Sequence, residues 1–264
     1  MKKLLIILSL ILIAGTCMSA PRKARRRLQL AASGAFSVLD IGGCKLWLDA
    51  SDSPTVTTGA TYTKWIDKSG NGNTFSNLVA VSPTVTNCSM NGLSGLCYNG
   101  TDQTLYGPNL GLHNSDITIF VVMRNEAVSA GFTYKLVFTL NRHNGGLWTG
   151  RYIQSNRQKM QIWNNSGFLN CDDYSMPNSG GDYMLEIEKD VGSYIKYYQN
   201  TSYIGLLSNY AAYTSGNTQL GYMEGLASID YFDGQINEFI VYQKVLTTAE
   251  RQQVETYLSD KWGL

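Results

Sequence analysis

The sequence predicts an all-β domain, a sandwich or a barrel, followed by a single helix at the C-terminus. Short apolar or alternating segments recur along the chain, and clusters of Gly, Asn, Asp and Ser separate them. Many short strands at such spacing are typical of sandwiches and barrels. The 26 Gly and 17 Tyr agree with this, because Gly suits tight turns and Tyr suits strands.

Two segments carry the strongest strand signals. Residues 45–49 alternate with a period of two, and residues 117–123 form a nearly continuous apolar run. We expect the second segment to be buried on both faces of its sheet. Trp47, Trp65 and Trp262 are expected in the core. Further strands are predicted at 134–140, 159–163, 183–189, 194–198 and 235–242.

The C-terminal helix is predicted from its caps and its apolar spacing. Thr247 and Glu250 have the spacing of a capping box, in which each side chain bonds the backbone N–H of the other residue. Gly263 can close the helix. The residues that recur on one helical face are Val254, Tyr257, Leu258 and Trp262. This face is expected to pack on the sheets.

The charge of the chain is divided unevenly between its start and the rest. Residues 1–30 hold 7 of the 21 basic residues and no acid, so the remainder has 14 basic and 20 acidic residues, a net charge of −6. A nucleic-acid partner needs a basic groove. The acidic balance of the predicted domain therefore excludes a nucleic-acid role.

The first 20 residues are laid out as a signal peptide. Lys2 and Lys3 precede an apolar segment at 4–14 that is shorter than the roughly 20 residues of a membrane span. Pro21 and the basic run at 22–27 disfavour cleavage and translocation, so an uncleaved anchor remains the alternative. We expect a signal peptide or anchor at 1–20, a basic linker or propeptide at 21–41 and the folded domain at 42–264.

Four cysteines lie beyond the leader, an even number that suits disulfides in an exported chain. Cys88 and Cys97 flank a predicted hairpin around Asn91-Gly92, and we expect them to be paired. Cys44–Cys171 is then the second pair by elimination. The alternative is four free, buried thiols.

Several segments resemble, in their order, the concanavalin A-like lectin/glucanase superfamily in its laminin-G-like branch. They are LWLDA at 46–50, WIDKSGNGN at 65–73, FDGQINEFIVY at 232–242, LTTAER at 246–251 and YLSDKWG at 257–263. The resemblance implies a two-sheet antiparallel jelly-roll sandwich of about 12–14 strands with a short C-terminal helix over 42–264. Its members include lectins, adhesins, hydrolases and inert spacers, many on bacterial or viral surfaces, so it constrains fold more than function.

Glu186 and Glu188 are the candidate catalytic residues. Alternate residues of a strand share one face about 7 Å apart, and the resemblance implies a comparison with the laminarinase-type motif Glu-x-Asp-x-x-Glu of retaining glycosidases. This chain departs from it, because the middle residue is Glu and the third acid, Asp190, follows after two residues instead of three. The alternative is an acidic strand that faces solvent.

The turn after Trp65 offers a candidate calcium site. Oxygen-bearing side chains alternate there at Asp67, Ser69, Asn71 and Asn73, as in the first half of a calcium loop. The bidentate acid of an EF-hand is absent, because Leu78 occupies that position. The alternative is a turn held by Asx hydrogen bonds. Calcium is the one cofactor that the sequence suggests.

Aromatic and amide side chains together indicate a candidate glycan site. Sugar recognition combines aromatic faces with hydrogen-bonding groups, and Trp163 also suits the core because it alternates with Met160 and Ile162. The residues of the candidate site are Trp148, Arg151, Tyr152, Asn164 and Asn165.

Three functional hypotheses follow. The first is a non-catalytic, secreted or surface-attached module that binds carbohydrate or a surface protein, with membrane contact only through an uncleaved leader. The second is a structural or adhesion component of a virion or cell surface without a small ligand. The third is a glycoside hydrolase that uses Glu186 and Glu188.

Overall fold

The computed structural model describes residues 36–52, 55–58, 63–77, 81–85, 88–125, 133–140, 148–154, 157–164, 167–170, 181–208, 216–222 and 229–264. The chain divides into two compact units, Met1–Asp40 and Ile41–Leu264. Within the first, a 3-10 helix spans Val38–Asp40, and the Ser37 backbone N–H donates to Asp40 Oδ2 at 2.7 Å. The described residues of the second unit hold two large sheets, antiparallel except for one short parallel pair, and one helix.

The first sheet, called sheet I, has the longest strands in its centre. Its order is β1-β19-β9-β14-β15-β16, and β7 pairs with the start of β19 on the edge that β1 also uses. Its strands in the described part of the chain are β1 (Cys44–Asp49), β7 (Leu96–Asn99), β9 (Ile117–Asn125), β14 (Gly181–Asp190), β15 (Tyr194–Gln199), β16 (Ser202–Ser208) and β19 (Asp233–Tyr242).

The second sheet, called sheet II, is wider and has shorter strands. Its order is β13-β12-β11-β10-β17-β8-β4-β3-β2, and the short β18 pairs in parallel with β10. Its described strands are β2 (Val56–Thr58), β3 (Thr63–Trp65), β4 (Phe75–Ser76), β8 (Leu105–Asn109), β10 (Thr133–Thr139), β11 (Trp148–Gln154), β12 (Arg157–Asn164), β13 (Gly167–Asn170), β17 (Asn217–Leu220) and β18 (Ile229–Asp230).

The hydrophobic core lies between the two sheets. Phe138 of sheet II meets Phe239 of sheet I edge to face, with 5.0 Å between ring centroids. In β9, Ile119 and Val121 belong to this core, whereas Phe120 between them is buried on the opposite face of sheet I. The prediction that 117–123 is buried on both faces is therefore confirmed. The two sheets packed around one core also confirm the predicted all-β sandwich.

The helix α1 (Thr248–Trp262) covers the face of sheet I that points away from the core. Its capping box is formed as predicted: the Thr247 hydroxyl accepts from the Glu250 backbone N–H, and Glu250 accepts from the Thr247 backbone N–H at 2.9 Å. Gly263 ends the helix with a φ of 78°, a left-handed conformation that suits glycine. No helix in the described residues is long and apolar enough to cross a membrane.

The predicted strands all form, and most extend one or two residues beyond their predicted ends. The described residues contain 19 strands instead of the expected 12–14, because pieces such as β4 and β18 are only two residues long and leave no periodic signal. Trp65 and Trp262 are core residues as expected. Trp47 is only half-buried; its indole N–H donates to Glu238 at 2.7 Å, and Lys68 Nζ lies 4.3 Å from the ring centroid.

The Cys88–Cys97 disulfide is formed, with 5.9 Å between the Cα atoms. It encloses the hairpin of β5 (Ser89–Met90) and β6 (Leu93–Ser94), whose turn residues Asn91 and Gly92 have φ of 51° and 76°. Two consecutive positive φ values are the requirement of a type I′ hairpin, which explains the Asn-Gly pair. Cys44 donates its thiol to the Leu46 carbonyl at 3.7 Å. Its predicted partner Cys171 lies outside the described residues, and that pairing stays a prediction.

Replacing both Cys88 and Cys97 with serine is expected to lower the free energy of unfolding by about 2–3 kcal/mol. A crosslink that closes a loop of this length restricts the unfolded chain by roughly that amount. Urea denaturation of the double variant, compared with wild-type protein under oxidising conditions, measures it. A change below about 0.5 kcal/mol would contradict the expectation.

Candidate functional site

The predicted glycan site maps onto neighbouring strands of sheet II. Trp148, Arg151 and Tyr152 belong to β11, and Asn164 ends β12, whereas Asn165 lies outside the described residues. β11 and β12 pair antiparallel along their whole length without a register shift. The positions of the four residues on the two faces of the sheet therefore follow from the pairing.

The register divides these residues between the two faces. Phe138 faces sheet I and pairs with Thr149, so the Thr149 position belongs to the core side of sheet II. Because faces alternate along a strand, Arg151 shares that side, and so does Asn164 through the pairing of β11 with β12. Trp148 and Tyr152 occupy positions on the opposite face.

A row of aromatic residues crosses three neighbouring strands at this end of sheet II. Trp148 of β11 pairs with Trp163 of β12, which pairs with Phe168 of β13. Directly paired residues of antiparallel strands share a face. We call these three residues the aromatic row, and their register positions belong to the face of sheet II opposite to that of the Thr149 position. Sequence reasoning left Phe168 out and linked Trp163 to the core.

The signal that could have revealed the aromatic row is the length of the connections. Only two residues, Ser155-Asn156 and Asn165-Ser166, separate β11 from β12 and β12 from β13. Loops of two residues fix the register of a hairpin. Two-residue loops would have paired the positions of the three aromatic residues with one another. They would also have assigned Trp163 and Ile162 to opposite faces of β12.

The candidate catalytic pair lies under α1. Glu186 and Glu188 share one face of β14, as predicted, but they are only 1% and 5% exposed. Arg251 of the helix approaches both, with Nη1 3.6 Å from Glu186 and Nε 3.9 Å from Glu188. The expectation of an acidic strand that faces solvent is wrong, because the helix covers this face of sheet I.

Burial also changes the chemistry of this pair. Desolvation raises the pKa of Glu186 to about 9, and Arg251 only partly offsets it. A retaining glycosidase needs both carboxyl groups open to the sugar. In this structure, substrate could reach Glu186 only if the helix moved away.

The candidate calcium loop is held by its own hydrogen bonds. Asp67 Oδ1 accepts from the backbone N–H groups of Trp47 at 3.0 Å and Ser69 at 2.8 Å. Its Oδ2 accepts from the Ser69 hydroxyl at 2.8 Å and the Asn73 backbone N–H at 3.0 Å. Both carboxylate oxygens are thus occupied by donors, which is the Asx-turn arrangement.

The two asparagines of the loop tie it to β1. The side-chain amides of Asn71 and Asn73 donate to the Lys45 carbonyl at 3.2 and 2.8 Å. Among the described residues, no group of three or more His, Cys, Asp or Glu is placed to hold a metal ion. Calcium usually takes six to eight oxygen ligands, so binding at Asp67 would require the loop to exchange these hydrogen bonds.

The fold is shared with domains of several solved structures, although no family model and no curated protein matches the sequence. The binding domain of botulinum neurotoxin DC in complex with SialylT has a TM-score of 0.56 at 12% identity over 82% of this chain, which spans about half (52%) of that protein chain. Domain 4 of AbnA, a GH43 extracellular arabinanase from Geobacillus stearothermophilus in complex with arabinotriose, has a TM-score of 0.54 at 15% identity over 78% of this chain and 95% of its own.

Trypanosoma rangeli sialidase in complex with sialic acid is a third such structure, with a TM-score of 0.56 at 13% identity. It matches 87% of this chain, which covers 35% of the sialidase. At these identities the likeness concerns the fold. Residues 41–264 form a jelly-roll β-sandwich of the architecture found in these proteins, compatible with a concanavalin A-like fold.

Proposed function

We propose that this chain is a non-catalytic carbohydrate-binding module of the concanavalin A-like, laminin-G-like kind. The observation that carries the proposal is the strand register, which pairs Trp148 with Trp163 and Trp163 with Phe168 across three neighbouring strands of sheet II. The fold relatives support it, since their structures hold SialylT, arabinotriose and sialic acid.

The aromatic row suits a sugar chain in its chemistry and its length. Aromatic rings offer the apolar faces on which sugar rings stack, and neighbouring polar groups supply orientation. Strands lie about 4.8 Å apart, so the row extends over roughly 10 Å. Tyr152 occupies the same face two register rows away. We therefore infer that the ligand is an oligosaccharide rather than a single sugar.

The place of action proposed is outside the cell or on a surface. The leader predicted at 1–20 supports export or anchoring. The formed Cys88–Cys97 disulfide is typical of oxidising compartments. A carbohydrate or glycosylated surface protein, on a cell or a virion, is the corresponding partner.

A glycan array with the full-length protein tests the proposal. We expect selective binding to a group of related oligosaccharides and at least a tenfold weaker affinity for Trp163→Ala, because a buried Trp contact is commonly worth about 2 kcal/mol. Tyr203→Ala is the matched control. This aromatic residue is 57% exposed on β16, the edge strand of sheet I.

The outcomes separate the functional hypotheses. Binding that Trp163→Ala leaves intact would contradict the site. A blank array from folded protein would contradict carbohydrate binding and favour the structural or adhesion component. Repeating the array with a calcium chelator tests the loop of Asp67: loss of binding with chelator and in Asn73→Ala supports calcium there, and unchanged binding rejects it.

A further inference from the structure

Five charged side chains meet between α1 and sheet I. Three are acids, Glu186 and Glu188 of β14 and Glu255 of α1, and all three are at most 5% exposed. The two cations are Arg251 of α1 and Lys196 of β15. If every group were ionised, this carboxyl cluster would carry three negative and two positive charges in a place where water is largely excluded.

Glu186 is the member of the carboxyl cluster without a hydrogen-bond donor. Both of its carboxyl oxygens are buried, and no N–H or hydroxyl group of the described residues donates to them; the group beside them is another carboxyl, that of Glu255. The nearest cation atom, Arg251 Nη1, lies 3.6 Å away and is already bonded to Glu255 at 2.7 Å. A buried carboxylate without donors is strongly unfavourable.

We propose that Glu186 keeps a proton at neutral pH, shared with Glu255, and that this proton holds α1 against sheet I. Protonated Glu186 can donate to the neighbouring Glu255 carboxylate, which in turn accepts from Arg251 at 2.7 Å. The carboxyl cluster then has two negative and two positive charges. The shared proton therefore links Glu186 of β14 to Glu255 and Arg251 of α1.

Burial also raises the pKa of Glu255, so Glu186 and Glu255 titrate as a pair. Phe120 of β9 lies directly opposite it in the sheet and carries no charge. Tyr198 of β15 stacks under Arg251 at 4.3 Å, and burial raises the pKa of its phenol. The acids around Arg251 raise its pKa, and contacts with Tyr194 and Glu188 raise that of Lys196, so both stay charged.

The direction of the pH dependence follows from the pKa of Glu186. Burial raises it from 4.5 to about 9 in the folded protein. The stabilisation is therefore complete below about pH 4.5 and is lost as the pH rises towards about 9. Within this window the folded state binds one more proton than the unfolded state, so the unfolding constant rises by up to about tenfold per pH unit. Above about pH 9, Glu186 is ionised and its carboxylate requires hydration. We expect α1 to loosen so that water can reach it.

Urea unfolding of full-length wild-type protein and Glu186→Gln between about pH 5 and about pH 8 tests this proton. Glutamine keeps the shape and neutrality of the protonated acid. We expect the ratio of the wild-type to the variant unfolding constant to rise about a hundredfold from pH 5 to pH 7. Asp190→Asn is the control, because it removes an acid from the partly exposed end of the same strand, about 13 Å away.

A ratio that stays constant with pH would overturn the proposal. If Glu186→Gln does not fold, the carbon-13 shift of the Glu186 carboxyl in wild-type protein decides: a midpoint near pH 9 supports the shared proton, and one near pH 4.5 rejects it. Amide exchange of Val254 and Leu258 shows whether the helix is what loosens. Their protection should fall between pH 7 and pH 9 in wild-type protein and persist in the variant.

Discussion

Replacing Trp262 with alanine is expected to lower the free energy of unfolding by about 3–5 kcal/mol. The side chain is 1% exposed at the end of α1, and its indole N–H donates to Glu238 at 2.7 Å. The variant would leave a large cavity between helix and sheet and remove a donor from a buried carboxylate. Denaturant unfolding followed by far-UV circular dichroism measures the change.

Trp262→Phe separates the two causes. It keeps most of the apolar volume and removes only the hydrogen bond, so a loss of about 1–3 kcal/mol is expected. Gly263 and the capping box remain unaltered in both variants. A decrease of less than about 1 kcal/mol in the free energy of unfolding of Trp262→Ala would show that α1 does not unfold cooperatively with the sheets.

Glu238→Ala should destabilise the protein by about 3–5 kcal/mol, the range for breaking one side of a buried charge pair. Glu238 lies on β19 and is 1% exposed. Its loss would remove one acceptor from four donors of the surrounding elements, although Lys261 also contacts Asp49 at 2.8 Å. They are Trp47 Nε1 at 2.7 Å, Tyr257 Oη at 2.8 Å, Lys261 Nζ at 2.7 Å and Trp262 Nε1 at 2.7 Å.

Glu250→Gln is the control for this substitution. Glu250 also belongs to a helix-capping hydrogen bond and an ion pair with Lys244, but it is partly exposed. Its replacement is expected to change stability by about 1 kcal/mol or less. Equal losses for Glu238→Ala and Glu250→Gln would contradict the view that the four donors depend on Glu238.

The contrast between Glu186 and Glu238 shows how environment decides the role of a buried acid. Both face α1 from sheet I, and burial raises the pKa of both. Glu238 receives four donors, including the Lys261 ammonium, whereas Glu186 receives none. Neutralising Glu186 should therefore stabilise the protein at pH 8, whereas removing Glu238 should destabilise it.

Local sequence signals predicted the parts of the fold that depend on near neighbours. The capping box of Thr247 and Glu250, the Asn91-Gly92 turn and the disulfide around it all lie within about ten residues of chain. The doubly buried β9 was also predictable, because its apolar run admits no solvent-facing side. In each case the interacting residues, or the apolar pattern that predicts the element, lie within one short segment of the sequence.

The environment of Glu186 and Glu188 could not be predicted in the same way. Their alternation correctly placed them on one face, but α1 begins about 60 residues later, and nothing near β14 indicates that the helix covers it. Arg151 shows the same limit, because only the pairing of β10 with β11 assigns it to the core side. Which face of a strand is buried depends on the strands and the helix that pack against it, and these are distant in the sequence.

The position of β19 also constrains when the domain can form during synthesis. This strand lies between β9 on one side and β1 and β7 on the other, and it is the last strand along the described part of the chain. Trp47 and Glu238, which bond each other across this junction, are 191 residues apart. A ribosome must therefore deliver the chain as far as Tyr242 before the centre of sheet I can form, and until then β1, β7 and β9 lack the strand that joins them.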